Sequence, residues 1–377
     1  MTRLLQLQKC GQSYWLDNLT RAMIRSGELQ RRITEEGLRG VTANPTTFGL
    51  ALGSGDYDND IKRLAREGYG TDEIYEKLLV TDVQEACDLL LDVHTRSERV
   101  DGFVSLEVSP KLAHDHAGTM QEARRFSELV NRPNLFIKVP GTVAGFRAIE
   151  QLLYEGYSIN ITLLFSLSAY DAVIEAYLSA LERRLAEKRS LGNLASVASF
   201  FLSRIDRLVD QLLRQRDRPS DSKSLSAVLR GRAAVASAKL AYRSFRQAFS
   251  GERWERLAVK GARVQRPLWA STGTKDPSYS DVYYVEPLIG RDTVNTMPEK
   301  TIRAFADHGE VKSNQIEQGV ERAAQTIQDL SNAGIDLHCV AWQLEHEGIT
   351  QFTEAFDHAH RALEEKRHQA VSKPAAA

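Results

Sequence analysis

Residues 135–140 read LFIKVP, and the alternation in those positions decides the fold. Successive side chains of a strand point to opposite faces. Leu135, Ile137 and Val139 therefore share one face, and Phe136 and Lys138 the other. Neighbouring runs repeat the pattern. FVSLEV (103–108) sets Val104, Leu106 and Val108 against Phe103, Ser105 and Glu107, and INITLLF (159–165) sets Ile161, Leu163 and Phe165 against Asn160 and Thr162. One face of each run is apolar enough to lie under helices, while the other carries a polar residue toward the strand's end. Further out, SYWLD (13–17), GVTAN (40–44), SVASFFL (196–202), PLWAST (267–272) and VYYVEP (282–287) bring the strand-like runs to eight. Strands alternating with helical segments imply βαβ units and a parallel sheet. Eight such units imply the α/β class and a closed (β/α)₈ TIM barrel with additional helices. An exposed antiparallel sheet shows the same alternation, but strand–helix order disfavours it. In a parallel barrel the second face points inward, where unpaired polarity is costly, and catalytic groups sit at the C-terminal mouth.

The segments between the runs have helical period. In 71–91, Ile74, Leu78, Val83 and Leu90 recur among acids, and Phe352, Phe356, Ala359 and Leu363 form a stripe in the last long segment. The longest gap, between the sixth and seventh runs, is expected to hold two helices with a polar break at 216–223 (RDRPSDSK). No Pro/Gly-rich linker divides the 377 residues, so one barrel domain is expected over 1–368 and a disordered tail over 369–377. Hydrophobic residues make up 42% and charged residues 26%, as in a globular enzyme. A net charge of −1 gives no electrostatic case for nucleic acid or an anionic membrane as partner, so an anionic substrate would need a local basic site. Cys10, Cys87 and Cys339 are odd in number and form no CxxC pair, which argues against a disulfide framework or zinc site and fits a reducing cytoplasm. The first residues are too short an apolar run for a signal peptide, and nothing approaches the ~18 apolar residues of a membrane span.

Chemistry centres on Lys138 in FIKVPGT. Burial beside Phe136 and Val139 favours the neutral form of an amine, and a neutral amine attacks a carbonyl to form an imine. Local context alone equally allows a strand-end lysine reaching solvent. The other strands favour the site. Six motifs in order, WLDNL around Asp17, GVTANPTTF around Asn44, SLEVSP around Glu107, FIKVPGT around Lys138, INITLLFS around Asn160 and Thr162, and SFFLSRID around Ser199 and Arg204, resemble the transaldolase family, in its longer bacterial branch, across about residues 10–365.

The resemblance implies a class I aldolase-type barrel with a Schiff-base lysine on the fourth strand, where the strand count independently puts Lys138. It implies transfer of a dihydroxyacetone unit from sedoheptulose 7-phosphate or fructose 6-phosphate to glyceraldehyde 3-phosphate or erythrose 4-phosphate, in the non-oxidative pentose phosphate pathway. Asp17 is implied as the base for the C4 hydroxyl, and Glu107 as the proton shuttle of imine formation through a water held by Thr162. Asn44 and Asn160 are implied as holders of substrate hydroxyls, and Ser199 and Arg204 as phosphate contacts. Read without the family, Asp17 is a helix cap, Asn44 before Pro45 is turn chemistry, and Asn160 in a strand has no simple structural excuse. Where the family often has a second phosphate arginine, after strand seven, WASTGTKDP has Gly273; Lys275 and the backbone and hydroxyls of Ser271–Thr272 are the candidate replacements.

The resemblance implies sugar-phosphate substrates, no cofactor and no metal. It leaves monomer or homodimer open. The histidine grouping His94, His114 and His116 reads as loop or helix surface. Two alternatives stand beside it. A fructose-6-phosphate aldolase shares barrel and lysine but has a glutamine and a tyrosine where this chain has Glu107 and Phe201. A non-catalytic sugar-phosphate-binding barrel would be expected to lose the lysine or its acid–base partners. Phe201, expected on the inward face with Ser199, cannot donate a hydrogen bond to a hydrolytic water as a tyrosine hydroxyl could.

Overall fold

The computed structural model describes residues 2–216 and 225–372. Eight parallel strands close on one another in chain order. They are β1 (Gln12–Leu16), β2 (Gly40–Thr42), β3 (Phe103–Glu107), β4 (Leu135–Pro140), β5 (Ile159–Leu164), β6 (Ser196–Phe201), β7 (Arg266–Ala270) and β8 (Thr293–Met297). The last closes on the first with Gln12 opposite Thr293 and Leu16 opposite Met297.

Seven expected runs are strands. The eighth is not: 282–287 lies in turns leading into a 3₁₀ turn at Glu286–Leu288, and the closing strand is the later TVNTM. The aromatic run is apolar for another reason. Val282, Tyr284 and Val285 are buried, and their neighbours anchor helices: Tyr284 donates to Asp206 Oδ2 at 2.9 Å and Tyr283 to the Gly231 carbonyl at 2.5 Å. The gap between β6 and β7 holds more than two helices: Ser203–Arg216, Leu225–Leu229, Ala233–Ala248 and Gly251–Ala258. Gly231 and Gly251, both at positive φ, separate the later ones. Beyond Arg216, the expected polar break lies outside the described residues.

Alternation also fails at the end of β5. The β5–β6 register shifts between Ile161 and Leu164, and Leu163 has φ +59°. A bulge there re-aims the side chains that follow, so Phe165 meets the inward Phe201 ring at 5.3 Å instead of lying on the helix side.

Inside the barrel, polarity is layered. At the N-terminal end Arg266, Asp101 and Ser13 bond to one another. Above them Phe103 stacks on Phe136 at 4.1 Å and Trp15 lies 6.1 Å from Phe136. A Cβ on Gly40 would fall 2.5 Å from Trp15, so only glycine leaves room for the indole. The polar ends of the strands come next.

The final helix, Leu337–Ser372, crosses to the helix Pro45–Leu52. It continues into the stretch expected as tail because Ala370 is buried and Lys366 Nζ is held by the Leu52 carbonyl and Asp58 Oδ1. Residues 373–377 lie outside the described residues. Among the described residues no helix is long and apolar enough to cross a membrane.

Candidate active site

Parallel register puts Glu107, Lys138 and Asn160 side by side on three adjacent strands. Lys138 Nζ donates to Glu107 Oε2 at 2.9 Å, with both side chains buried. Burial raises the Glu107 carboxyl above the usual carboxylate range, opposed by the charge and hydrogen bond of Lys138.

Asp17 follows β1, its backbone N–H bonded to the Met297 carbonyl at 2.9 Å. Thr42 Oγ1 donates to Asp17 Oδ1 at 2.9 Å and meets Thr296 Oγ1 at 2.8 Å. A hydroxyl has one proton, so Thr296 is the donor in the second contact. Burial raises Asp17 as well, opposed first by the Lys138 charge, then by the Thr42 bond, then by Lys275 and Arg204. Lysine, two carboxyls and arginine thus share one electrostatic site.

Asn160 is fully buried. Its Nδ2 donates to Ser105 Oγ at 3.0 Å and its Oδ1 accepts from Ser199 Oγ at 2.6 Å. The hydroxyl of Ser199 is therefore engaged with Asn160, while Asn160 keeps a second amide hydrogen. Thr162 Oγ1 is buried and has no protein hydrogen-bond partner among the described residues. Asn44 caps the helix Pro45–Leu52: its Oδ1 accepts from Thr47 N at 3.0 Å, completing a capping box. The turn reading of Asn44 and its place at the mouth hold together, since a cap uses only the oxygen.

Arg204 stands in the first turn of the helix Ser203–Arg216, its guanidinium carbon 5.7 Å from the Phe201 ring centre. Burial and the nearby Arg207 charge weigh against its own charge, yet arginine stays protonated. Its Nη1 is buried with no acceptor among the described residues. Arg207 is exposed and pairs with Glu347. Ser271, at φ +54°, accepts from Ser203 N through its carbonyl and meets Ser203 Oγ at 2.9 Å. Thr272 is buried and donates to the Thr296 carbonyl. Lys275 is exposed and within electrostatic reach of Asp17.

The histidine grouping is not uniformly surface. His94 is buried, its Nδ1 3.0 Å from the Asp101 carbonyl and its ring edge-on to Phe103, so it belongs to the N-terminal end. His114 is exposed beside His346. Among the described residues no three His, Cys, Asp or Glu side chains group as a metal site.

One site residue escaped the sequence reading. Phe352, in the final helix, places its ring centre 5.8 Å from both Lys138 Nζ and Arg204 Cζ. Its signal was visible only as one member of a helical stripe.

A family profile described as "Transaldolase/Fructose-6-phosphate aldolase" matches residues 14–363. The chain belongs to this transaldolase/fructose-6-phosphate aldolase family. A protein named transaldolase 2 from Nostoc sp. is 46% identical over 373 residues, 97% of this chain and 98% of that one. Transaldolases from Thiobacillus denitrificans (47%, covering 93% and 96%) and Saccharopolyspora erythraea (43%, covering 97% of each) are also similar. Within the family frame, Lys138 has the fourth-strand position that the motif order implied, with Glu107 in hydrogen-bond contact.

Proposed function

We propose that this chain acts as a transaldolase, as one barrel domain that includes the final helix to Ser372, and works in the cytoplasm on the sugar phosphates of the non-oxidative pentose phosphate pathway. The observation that carries the reading is the buried Lys138–Glu107 contact at 2.9 Å. It supplies an amine with a proton acceptor within reach.

Glu107 takes the ammonium proton, and the amine of Lys138 adds to C2 of the ketose phosphate. Glu107 then returns protons through a water bound at Thr162 while the carbinolamine loses water, leaving an iminium. Asp17 removes the C4 hydroxyl proton, the C3–C4 bond breaks, and its electron pair enters the iminium to form an enamine. The aldose phosphate leaves, an acceptor aldose phosphate replaces it, and the steps run in reverse. Asn44 and Asn160 hold substrate hydroxyls. Arg204 gives the phosphate its principal charged donor, with Ser271 and Lys275 at the same end, while Ser199, whose hydroxyl donates to Asn160 Oδ1, orients that amide toward the substrate. Phe201, apolar where the aldolase branch has tyrosine, offers no hydroxyl to direct water at the imine carbon, which favours transfer over release.

Borohydride reduction with fructose 6-phosphate, followed by peptide mapping, tests this. The labelled peptide is expected to contain Lys138; a label on any other lysine overturns the assignment.

A further inference from the structure

Three departures from local preference converge where the final helix crosses the barrel mouth. Gly348 sits inside the helix Leu337–Ser372, where glycine is disfavoured relative to alanine. Leu163 holds a left-handed backbone at the β5 bulge. Arg204 Nη1 is buried without a protein acceptor among the described residues. They touch one another: a Cβ on Gly348 would fall 2.9 Å from Leu163 Cδ2 and 3.6 Å from Arg204 Nη1. Glycine therefore lets the helix ride close on the end of β5. One turn later on the same helix face comes Phe352, 5% exposed, with the lysine amine and the arginine carbon each 5.8 Å from its ring centre. That is the outer limit of cation–π reach, about 6 Å, so attraction to either cation does not explain the placement. Beyond Phe352 the helix is fastened by Lys111–Asp357 and Lys366–Asp58.

We propose that Phe352 is a specificity-determining residue: its ring roofs the run from Lys138 to Arg204, packs on the carbon chain of the bound sugar phosphate and keeps water from the lysine-bound three-carbon unit. This deepens the transaldolase reading and rests on it. Loss of the unit as free dihydroxyacetone requires a proton on the enamine carbon C3 and then water on C2; the C2–N bond breaks and the amine of Lys138 is returned. Transfer requires only that an aldehyde arrive before water does. A roof that excludes water slows the first outcome. By holding the chain extended toward Arg204, it also makes the phosphate count in binding.

The test compares Phe352→Ala, Phe352→Leu and Gly348→Ala with the wild type, using fructose 6-phosphate as donor and erythrose 4-phosphate as acceptor. Dihydroxyacetone release and transfer are measured together, with KM for fructose 6-phosphate. Phe352→Ala is expected to raise the release-to-transfer ratio about tenfold, equivalent to one decade of relative rate, and to raise KM. Phe352→Leu, which keeps an apolar roof, is expected to restore the ratio to within about threefold of wild type. Gly348→Ala, a change favoured by helix propensity, lifts the helix and is expected to raise the ratio by a smaller factor. A Phe352→Ala enzyme with lower activity but an unchanged ratio overturns the roof. If that variant does not fold, an unchanged ratio in Gly348→Ala does so, and a raised ratio supports it. Failure of the underlying reading is distinguishable, because wild-type borohydride labelling would then miss Lys138.

Discussion

Each end of this barrel encloses a buried ion pair, and the two are built differently. At the N-terminal end Arg266 gives its terminal nitrogens to four acceptors: the Val100 carbonyl, Asp101 Oδ1, Ser13 Oγ and the Thr293 carbonyl, at 2.6–3.2 Å. Asp101 accepts a further bond from Ser13 at 2.8 Å. At the C-terminal end Lys138 makes a single hydrogen bond, to Glu107, among the described residues. The first pair is a rigid fork tied into four strands and loops. The second is an ammonium with spare donors beside a carboxyl already raised by burial. The terminal nitrogens of Arg266 are all engaged and hold its geometry, although its buried Nε has no hydrogen-bond partner among the described residues. A pair with spare donors at the reacting nitrogen can exchange its proton and accept a new partner.

The largest test of this contrast is Lys138→Met. Transfer activity is expected to fall by on the order of 10⁴-fold or more, as for loss of a nucleophile. Urea unfolding is expected to shift by less than about 1 kcal/mol, because Glu107 can protonate when its partner is gone. A loss of several kcal/mol would show that the mouth pair is structural after all.

Asp101→Ala is the mirror experiment. Arg266 cannot shed its charge, so stability is expected to drop by about 3–5 kcal/mol, while the folded fraction keeps a near-normal kcat. A kcat collapse without destabilisation would erase the distinction between the two ends.

Another buried acid has no cation in contact among the described residues. Asp206 accepts from Ala234 N at 2.8 Å and Tyr284 at 2.9 Å, with Asp210 close enough to add repulsion, and burial holds its pKa at about 7. Between about pH 4 and pH 7 the unfolded chain has lost this proton and the folded chain still carries it. Stability therefore falls as pH rises through that window, by up to about 4 kcal/mol, and is flat on either side as far as this group is concerned. Asp206→Asn is expected to remove that slope in urea titrations at pH 4, 5.5 and 7. An unchanged slope would show that Asp206 is ionised throughout.

The smallest effect separates two carboxyls at the mouth. Asp17→Ala is expected to form the imine at a near-normal rate and accumulate it. Glu107→Gln is expected to slow imine formation itself by about 10²-fold. Single-turnover trapping distinguishes them, and impairment of the same step in both would merge their roles.

Much of this was legible in the linear chain, for a definite reason. A period of two assigns a residue to a face without knowledge of what the face meets, so Glu107, Lys138 and Asn160 could be placed inside the barrel from FVSLEV, LFIKVP and INITLLF alone. Six motifs in order carried the family, and with it the roles proposed for Asp17, Thr162, Ser199 and Arg204.

What periodicity cannot express is the identity of the buried surface opposite. VYYVEP and TVNTM show the error it produces. Both are rich in strand formers, but Tyr283 and Tyr284 spend their apolar surface and hydroxyls under helices, and the more polar Thr293–Met297 closes the sheet. The Leu163 bulge is likewise invisible locally, since no glycine or proline marks it. Phe352 reads in sequence as one more core aromatic of an amphipathic helix. Only packing of the final helix across the mouth brings it within 5.8 Å of both Lys138 Nζ and Arg204 Cζ, because a contact between segments so far apart along the chain is selected by the closed barrel as a whole.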